Sequence, residues 1–164
     1  MINQIYSLLD DLSIEYQRID HPPVYTSEQA RALVPKQTAA SAKNLFLKDK
    51  KGREHFLIVF DDQKSIDMKR LAGQIGTTRL SLASPERLQE HLGVDPGAVS
   101  LLALVNDPDN RVQLLFDRDL WEEGFLQCHP LVNTTTLVLA MEDVKRFLDR
   151  VGHTAELVKI PEIN

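Results

Sequence analysis

The chain has one cysteine, Cys128, so no internal disulfide framework is possible. No stretch approaches the roughly 18 apolar residues that a membrane-spanning helix needs. The start, Met-Ile-Asn-Gln-Ile-Tyr, has no basic segment followed by an apolar one, so no secretory signal is visible and a cytoplasmic location is expected. Several familiar catalytic signatures are also missing. There is no phosphate-cradling G-x-x-x-x-G-K-[ST], no G-x-G-x-x-G, no H-E-x-x-H and no G-x-S-x-G. The five histidines are scattered without ligand spacing, and Cys128 and His129, as strand neighbours, would point to opposite faces, so no metal site is expected. Cys128 reads as a small, half-buried hydrophobe rather than a nucleophile.

What is present is an ordinary globular mixture: 164 residues, 43% hydrophobic and 26% charged, with no repeat or low-complexity tract. That length suits one domain with a real core, and no linker divides it, so residues 1–164 are expected to form a single domain. The net charge of −5 argues against nucleic-acid binding, but its distribution does not. Residues 31–80 hold eleven Lys and Arg against five acids, a local balance of +6. A phosphate-bearing ligand would be drawn there, although a solvated positive face reads equally well.

Hydrophobic spacing predicts helices over residues 2–12, 67–75 and 141–151. Thr26 and Gln29 form a capping box that predicts a helix to about Leu33, and Ser84-Pro85 starts another that ends near Gly93. Strands are expected over 15–19, 79–83, 136–140 and 155–160. Two hairpins are expected, 44–48 with 55–60 and 101–105 with 111–116. The sum is an α/β domain on a mixed, mainly antiparallel sheet flanked by helices.

Three stretches set polar groups within apolar sequence. Lys43-Asn44 enters an apolar run, and offers a cation beside an amide that both donates and accepts. Gly93 to Gly97, with Pro96, makes a loop that exposes its main chain before Ala98-Val99-Ser100. Cys128 to Thr136 combines an imidazole, an amide and three hydroxyls. Taken singly, each also reads as an ordinary turn.

The order and spacing of these pieces resemble the YbaK-like superfamily of aminoacyl-tRNA deacylases, which includes the insertion editing domain of bacterial prolyl-tRNA synthetase. The resemblance runs from His21-Pro22-Pro23-Val24-Tyr25-Thr26 through Lys43-Asn44-Leu45-Phe46-Leu47 and Ser84-Pro85-Glu86-Arg87-Leu88 to His129-Pro130-Leu131-Val132-Asn133-Thr134. It is closest to the free-standing branch that removes alanine from proline tRNA. It implies a pocket for the aminoacyl ester in which Lys43, Asn44 and His129 act on the substrate. Lys43 would meet the terminal adenosine's phosphate or the substrate carbonyl. The main chain of Gly97, Ala98, Val99 and Ser100, with Asn133 and Thr134, would line the pocket. The tRNA's own ribose hydroxyl would assist, so no cofactor is implied. At the fifth position of the family's G-x-x-x-P loop this chain has Leu101. The basic segment then becomes a candidate face for the acceptor end of the tRNA, through Lys48, Lys50, Lys51 and Arg53. Prolyl-tRNA synthetase is a candidate protein partner, and no membrane is expected. Cysteine or serine as the amino acid removed, and a non-catalytic binding module of the same fold, are the alternatives.

Overall fold

The structure, a computed structural model, describes residues 2–23 and 39–163. The expected helix from Thr26 to Leu33 lies outside them. The helices are α1 (Ile2–Asp11), α2 (Met68–Ile75), α3 (Pro85–Leu92), α4 (Arg118–Trp121) and α5 (Met141–Val151). The strands are β1 (Tyr16–Asp20), β2 (Ala42–Lys48), β3 (His55–Asp61), β4 (Ser81–Leu82), β5 (Val112–Asp117), β6 (Phe125–Cys128), β7 (Thr135–Ala140) and β8 (Ala155–Val158).

Local chemistry explains most of the ends. Asp67 caps α2 by accepting from the Arg70 amide, and Gly76 closes it at φ 75°. Ser84 caps α3 through the Arg87 amide, Pro85 takes the first turn, and Gly93 ends it at φ 67°.

The strands form two sheets. A three-stranded antiparallel sheet has the order β1-β7-β6, and a five-stranded sheet has the order β4-β2-β3-β5-β8. In the second, β4-β2 and β2-β3 are antiparallel while β3-β5 and β5-β8 are parallel. The expected mixed, mainly antiparallel arrangement is therefore present, split over two sheets. One face of the larger sheet, with Phe46, Leu57, Val59, Leu114 and Phe116, packs with Leu126, Leu137 and Leu139 of the smaller sheet and with Ile5, Leu9, Val144 and Phe147 of α1 and α5. The other face, with Leu47, Phe56, Ile58 and Phe60, is covered by Leu71 and Ala72 of α2.

One expectation fails. Residues 101–105 are not the first strand of a hairpin but part of a 3-10 helix, Leu101–Asn106. Leu101 to Leu104 are all buried, so no alternation marks them, and an unbroken apolar run reads alike as buried strand or buried helix. The Ser100 hydroxyl decides between the two by accepting from the Leu102 amide and capping a helical turn. Strand β5 then enters from Asp107, whose carboxylate accepts from the Arg111 and Val112 amides, and pairs parallel with β3.

Candidate functional site

The two sheets meet just before β2. Ala40 forms a parallel bridge with Leu126 of β6, its amide donating to Phe125 O (2.9 Å) and its carbonyl accepting from Gln127 N (3.1 Å). Because the bridge is parallel, the chain from Ala40 to Asn44 and the chain from Leu126 to Pro130 leave it in the same direction. Lys43-Asn44 and His129 therefore lie at the same end of this junction.

Period two splits the pair in β2. Asn44 shares a face with Ala42 and Phe46, toward the cluster that contains Ala98 and Leu101. Its Oδ1 is buried and has no hydrogen-bond partner among the described residues. Such an acceptor costs the fold about 1–3 kcal/mol, and a site that keeps it invites a donor from outside. Lys43 is exposed, on the face of Leu45 and Leu47. The fold brings the two residues together in sequence and height, but not on one side of the sheet.

His129 follows directly on β6. Its Nδ1 lies 3.2 Å from the Thr135 carbonyl. A carbonyl only accepts, so Nδ1 carries a proton and Nε2 keeps its lone pair in the neutral ring. Burial holds the imidazole below its ordinary pKa, with the neighbouring His21 acting in the same sense and the Thr135 carbonyl opposing it. A neutral ring with a fixed tautomer can accept a proton or a hydrogen bond from a reacting hydroxyl. Between His129 and Thr135, Leu131 has φ 66°. A branched side chain in the left-handed region is strained, and strain of this kind gathers at binding loops. Asn133 is half-buried in this loop and Thr134 is exposed.

In the 96–100 loop, Pro96–Ala98 is a short 3-10 turn. Ala98 is buried in the main core, Val99 packs at its edge, and Ser100 is 1% exposed with its hydroxyl committed to capping. Their side chains are thus turned to the fold, and Gly97 is the partly open position. Leu101 sits first in the next 3-10 helix, a place where proline is tolerated because that amide is an orphan. Leucine replaces proline there without asking for different backbone geometry, and it is 1% exposed in the core.

The expected nucleic-acid contacts lie elsewhere. Lys43 pairs with Phe60, whereas Lys48 pairs with His55 at the other end of the hairpin. Five residues of strand separate them by about 17 Å. Lys50, Lys51 and Arg53 are exposed at the hairpin tip, and Lys48 is half-buried. Asp49 shapes the tip, its carboxylate accepting from the Arg53 (2.8 Å) and Glu54 (3.1 Å) amides. Arg87 braces it through Nη1, which donates to Gly52 O (3.2 Å) and His55 Nε2 (3.1 Å). His55 in turn lies 4.1 Å from the His91 ring, centroid to centroid, and stacks on Phe46. The basic segment is not one uniform face, since Lys64 is held between Asp117 (3.0 Å) and Asp119 (2.7 Å).

Cys128 is buried and burial pushes its thiol up to about 12, as suits a packing residue. Sequence reasoning assigned no role to His21, Thr136 or Asp20. His21 Nδ1 meets Pro22 O (2.9 Å), its Nε2 meets the Thr136 hydroxyl (2.8 Å), and its amide donates to Thr134 O (2.9 Å). The Thr135 hydroxyl donates to Asp20 Oδ1 (2.8 Å). The available signal was the position of Asp20-His21 at the end of a strand, opposite three consecutive threonines.

Comparison with known proteins places the chain in a family. The family model described as "Aminoacyl-tRNA editing domain" matches residues 21–147. The chain is 38% identical over 156 residues to "Prolyl-tRNA editing protein ProX" of Acetoanaerobium sticklandii, covering 95% of each. It is 35% identical over 153 residues to "Prolyl-tRNA synthetase associated domain-containing protein 1" of Danio rerio, covering 92% of this chain and 83% of that one. A solved structure described as a candidate trans-editing enzyme for prolyl tRNA synthetase shares the fold, with a TM-score of 0.71 at 17% identity, over 99% of this chain and 97% of that one. On the match to residues 21–147 and these relatives, the chain belongs to the aminoacyl-tRNA editing domain family and is an aminoacyl-tRNA deacylase.

Proposed function

We propose that residues 1–164 act as one free-standing editing domain that hydrolyses the ester of alanine misattached to proline tRNA. The reading rests on the buried Asn44 Oδ1, which has no partner among the described residues, at the same end of the sheet junction as a neutral His129. The relative named as a prolyl-tRNA editing protein supports proline tRNA as the carrier.

An aminoacyl ester is already activated, so positioning and oxyanion stabilisation suffice without a strong nucleophile. Asn44 holds a donor of the aminoacyl group against Oδ1. Lys43, second in β2 and on a flexible stem, meets the terminal phosphate or the ester carbonyl. His129 accepts at Nε2 from the ribose hydroxyl or from the attacking water. The main chain from Gly97 to Ser100, with Asn133 and Thr134, bounds the amino-acid side chain. A synthetase site for proline rejects the smaller alanine poorly, since each missing methylene is worth only about 1–3 kcal/mol. A second, smaller pocket that admits alanine and excludes proline completes a double sieve. Lys48, Lys50, Lys51 and Arg53, about 17 Å along the hairpin from Lys43, serve the acceptor stem rather than its terminal adenosine. No helix among the described residues is long and apolar enough to cross a membrane. The cytoplasm is the proposed location, with prolyl-tRNA synthetase as the proposed partner.

The test is a panel of proline tRNA charged separately with alanine, cysteine, serine and proline. Rapid release of alanine and retention of proline are expected. Preferential release of cysteine or serine would move the assignment to that amino acid, and no release from any would point to a non-catalytic module. Lys43→Ala is expected to abolish deacylation in a folded protein, and full activity in that variant would remove Lys43 from the site.

A further inference from the structure

The end of β7 is held from both flanks. On the β1 side, the His21 amide donates to Thr134 O (2.9 Å), the Thr135 hydroxyl donates to Asp20 Oδ1 (2.8 Å), and the Thr136 hydroxyl meets His21 Nε2 (2.8 Å). On the β6 side, the His129 imidazole donates to Thr135 O. Carbonyls alternate along a strand. Since Thr134 O faces β1, Thr135 O faces β6, where the side chain of His129 takes the place of the next ladder amide. Three consecutive threonines therefore stand between two imidazoles, and His21 itself is anchored by Nδ1 on Pro22 O (2.9 Å).

We propose that His21 and Thr136 are positioning residues that hold the Thr135 carbonyl in place and so keep His129 in the Nδ1-protonated form, with its Nε2 lone pair turned to the ester. This rests on the reading of His129 as a site residue. Without the His21–Thr136 bond the strand end frays, Thr135 O ceases to be a fixed acceptor, and the His129 ring is free to exchange its proton between the two nitrogens. Thr136 is 3% exposed, so valine fills its space without the hydroxyl, and serine keeps the hydroxyl.

The test is imidazole nitrogen NMR on the whole chain, with deacylation kinetics on the same samples. In the wild type, His129 is expected to show one protonated-type Nδ1 and one lone-pair-type Nε2 signal. In Thr136→Val and His21→Ala these move toward averaged values, with kcat down about tenfold and KM little changed. Thr136→Ser is expected to restore both the signals and the rate. Unchanged His129 nitrogen signals in a folded Thr136→Val protein would overturn the proposal, as would failure of Thr136→Ser to restore them. His129→Ala serves as the control on the underlying reading. Full activity in that variant would remove His129 from the site, while the nitrogen signals would still decide whether His21 and Thr136 fix its tautomer.

Discussion

Lowering the pH should destabilise this protein before its carboxylates are titrated, through His55. This ring is 5% exposed, lies against His91 and Phe46, and accepts from the Arg87 guanidinium. Burial first, then the His91 and Arg87 charges, take its pKa from 6.5 to about 4. In the unfolded chain the ring protonates near its ordinary pKa, so between those values the unfolded state binds more protons. Stability is then full above about pH 6.5 and falls as the pH drops toward 4. From pH 7 to 5 the full shift corresponds to about 2 kcal/mol, and screening by solvent near the hairpin tip brings this to about 1 kcal/mol. His91, also held low by its burial, adds in the same direction. His55→Gln keeps an acceptor for Arg87 but cannot titrate. Urea unfolding at half-unit steps from pH 7 to 5 should therefore show the wild type losing about 1 kcal/mol more than the variant. Parallel curves across that window would refute the assignment of a buried, neutral His55.

Other substitutions separate fold from function. Asn44→Ala removes a buried acceptor that lacks a partner among the described residues, so deacylation should fall about 100-fold or more while the urea midpoint stays level or rises. Ser100→Ala removes the cap on the 3-10 helix and should lower the unfolding free energy by about 1 kcal/mol, seen as a lower thermal midpoint. Arg87→Ala leaves His55 Nε2 and Gly52 O without their donor, a cost of about 1–3 kcal/mol in urea unfolding. Reversal to glutamate at the exposed Lys50 and Lys51 should weaken tRNA binding and flatten its dependence on salt. Unchanged binding would take the hairpin tip out of the interface.

Sequence alone was sufficient where the cause is local. Asp67, Gly76, Ser84-Pro85 and Gly93 act within a few residues of themselves, and the helices they bound are where their chemistry places them. The first hairpin is equally local, since Asp49 and Gly52 turn the chain between two apolar runs. Order and spacing of short motifs were enough to reach the family, because such a pattern needs no geometry. Tertiary structure decided what depends on contacts between distant residues. Whether 101–105 is strand or helix turned on the Ser100 cap and on burial from all sides. Which face of β2 meets the core, and hence that Asn44 rather than Lys43 turns toward it, follows from how β2 lies between its neighbours. The place of His21 beside three threonines depends on a pairing across 115 residues of chain, and no short-range pattern encodes a hydrogen bond of that span.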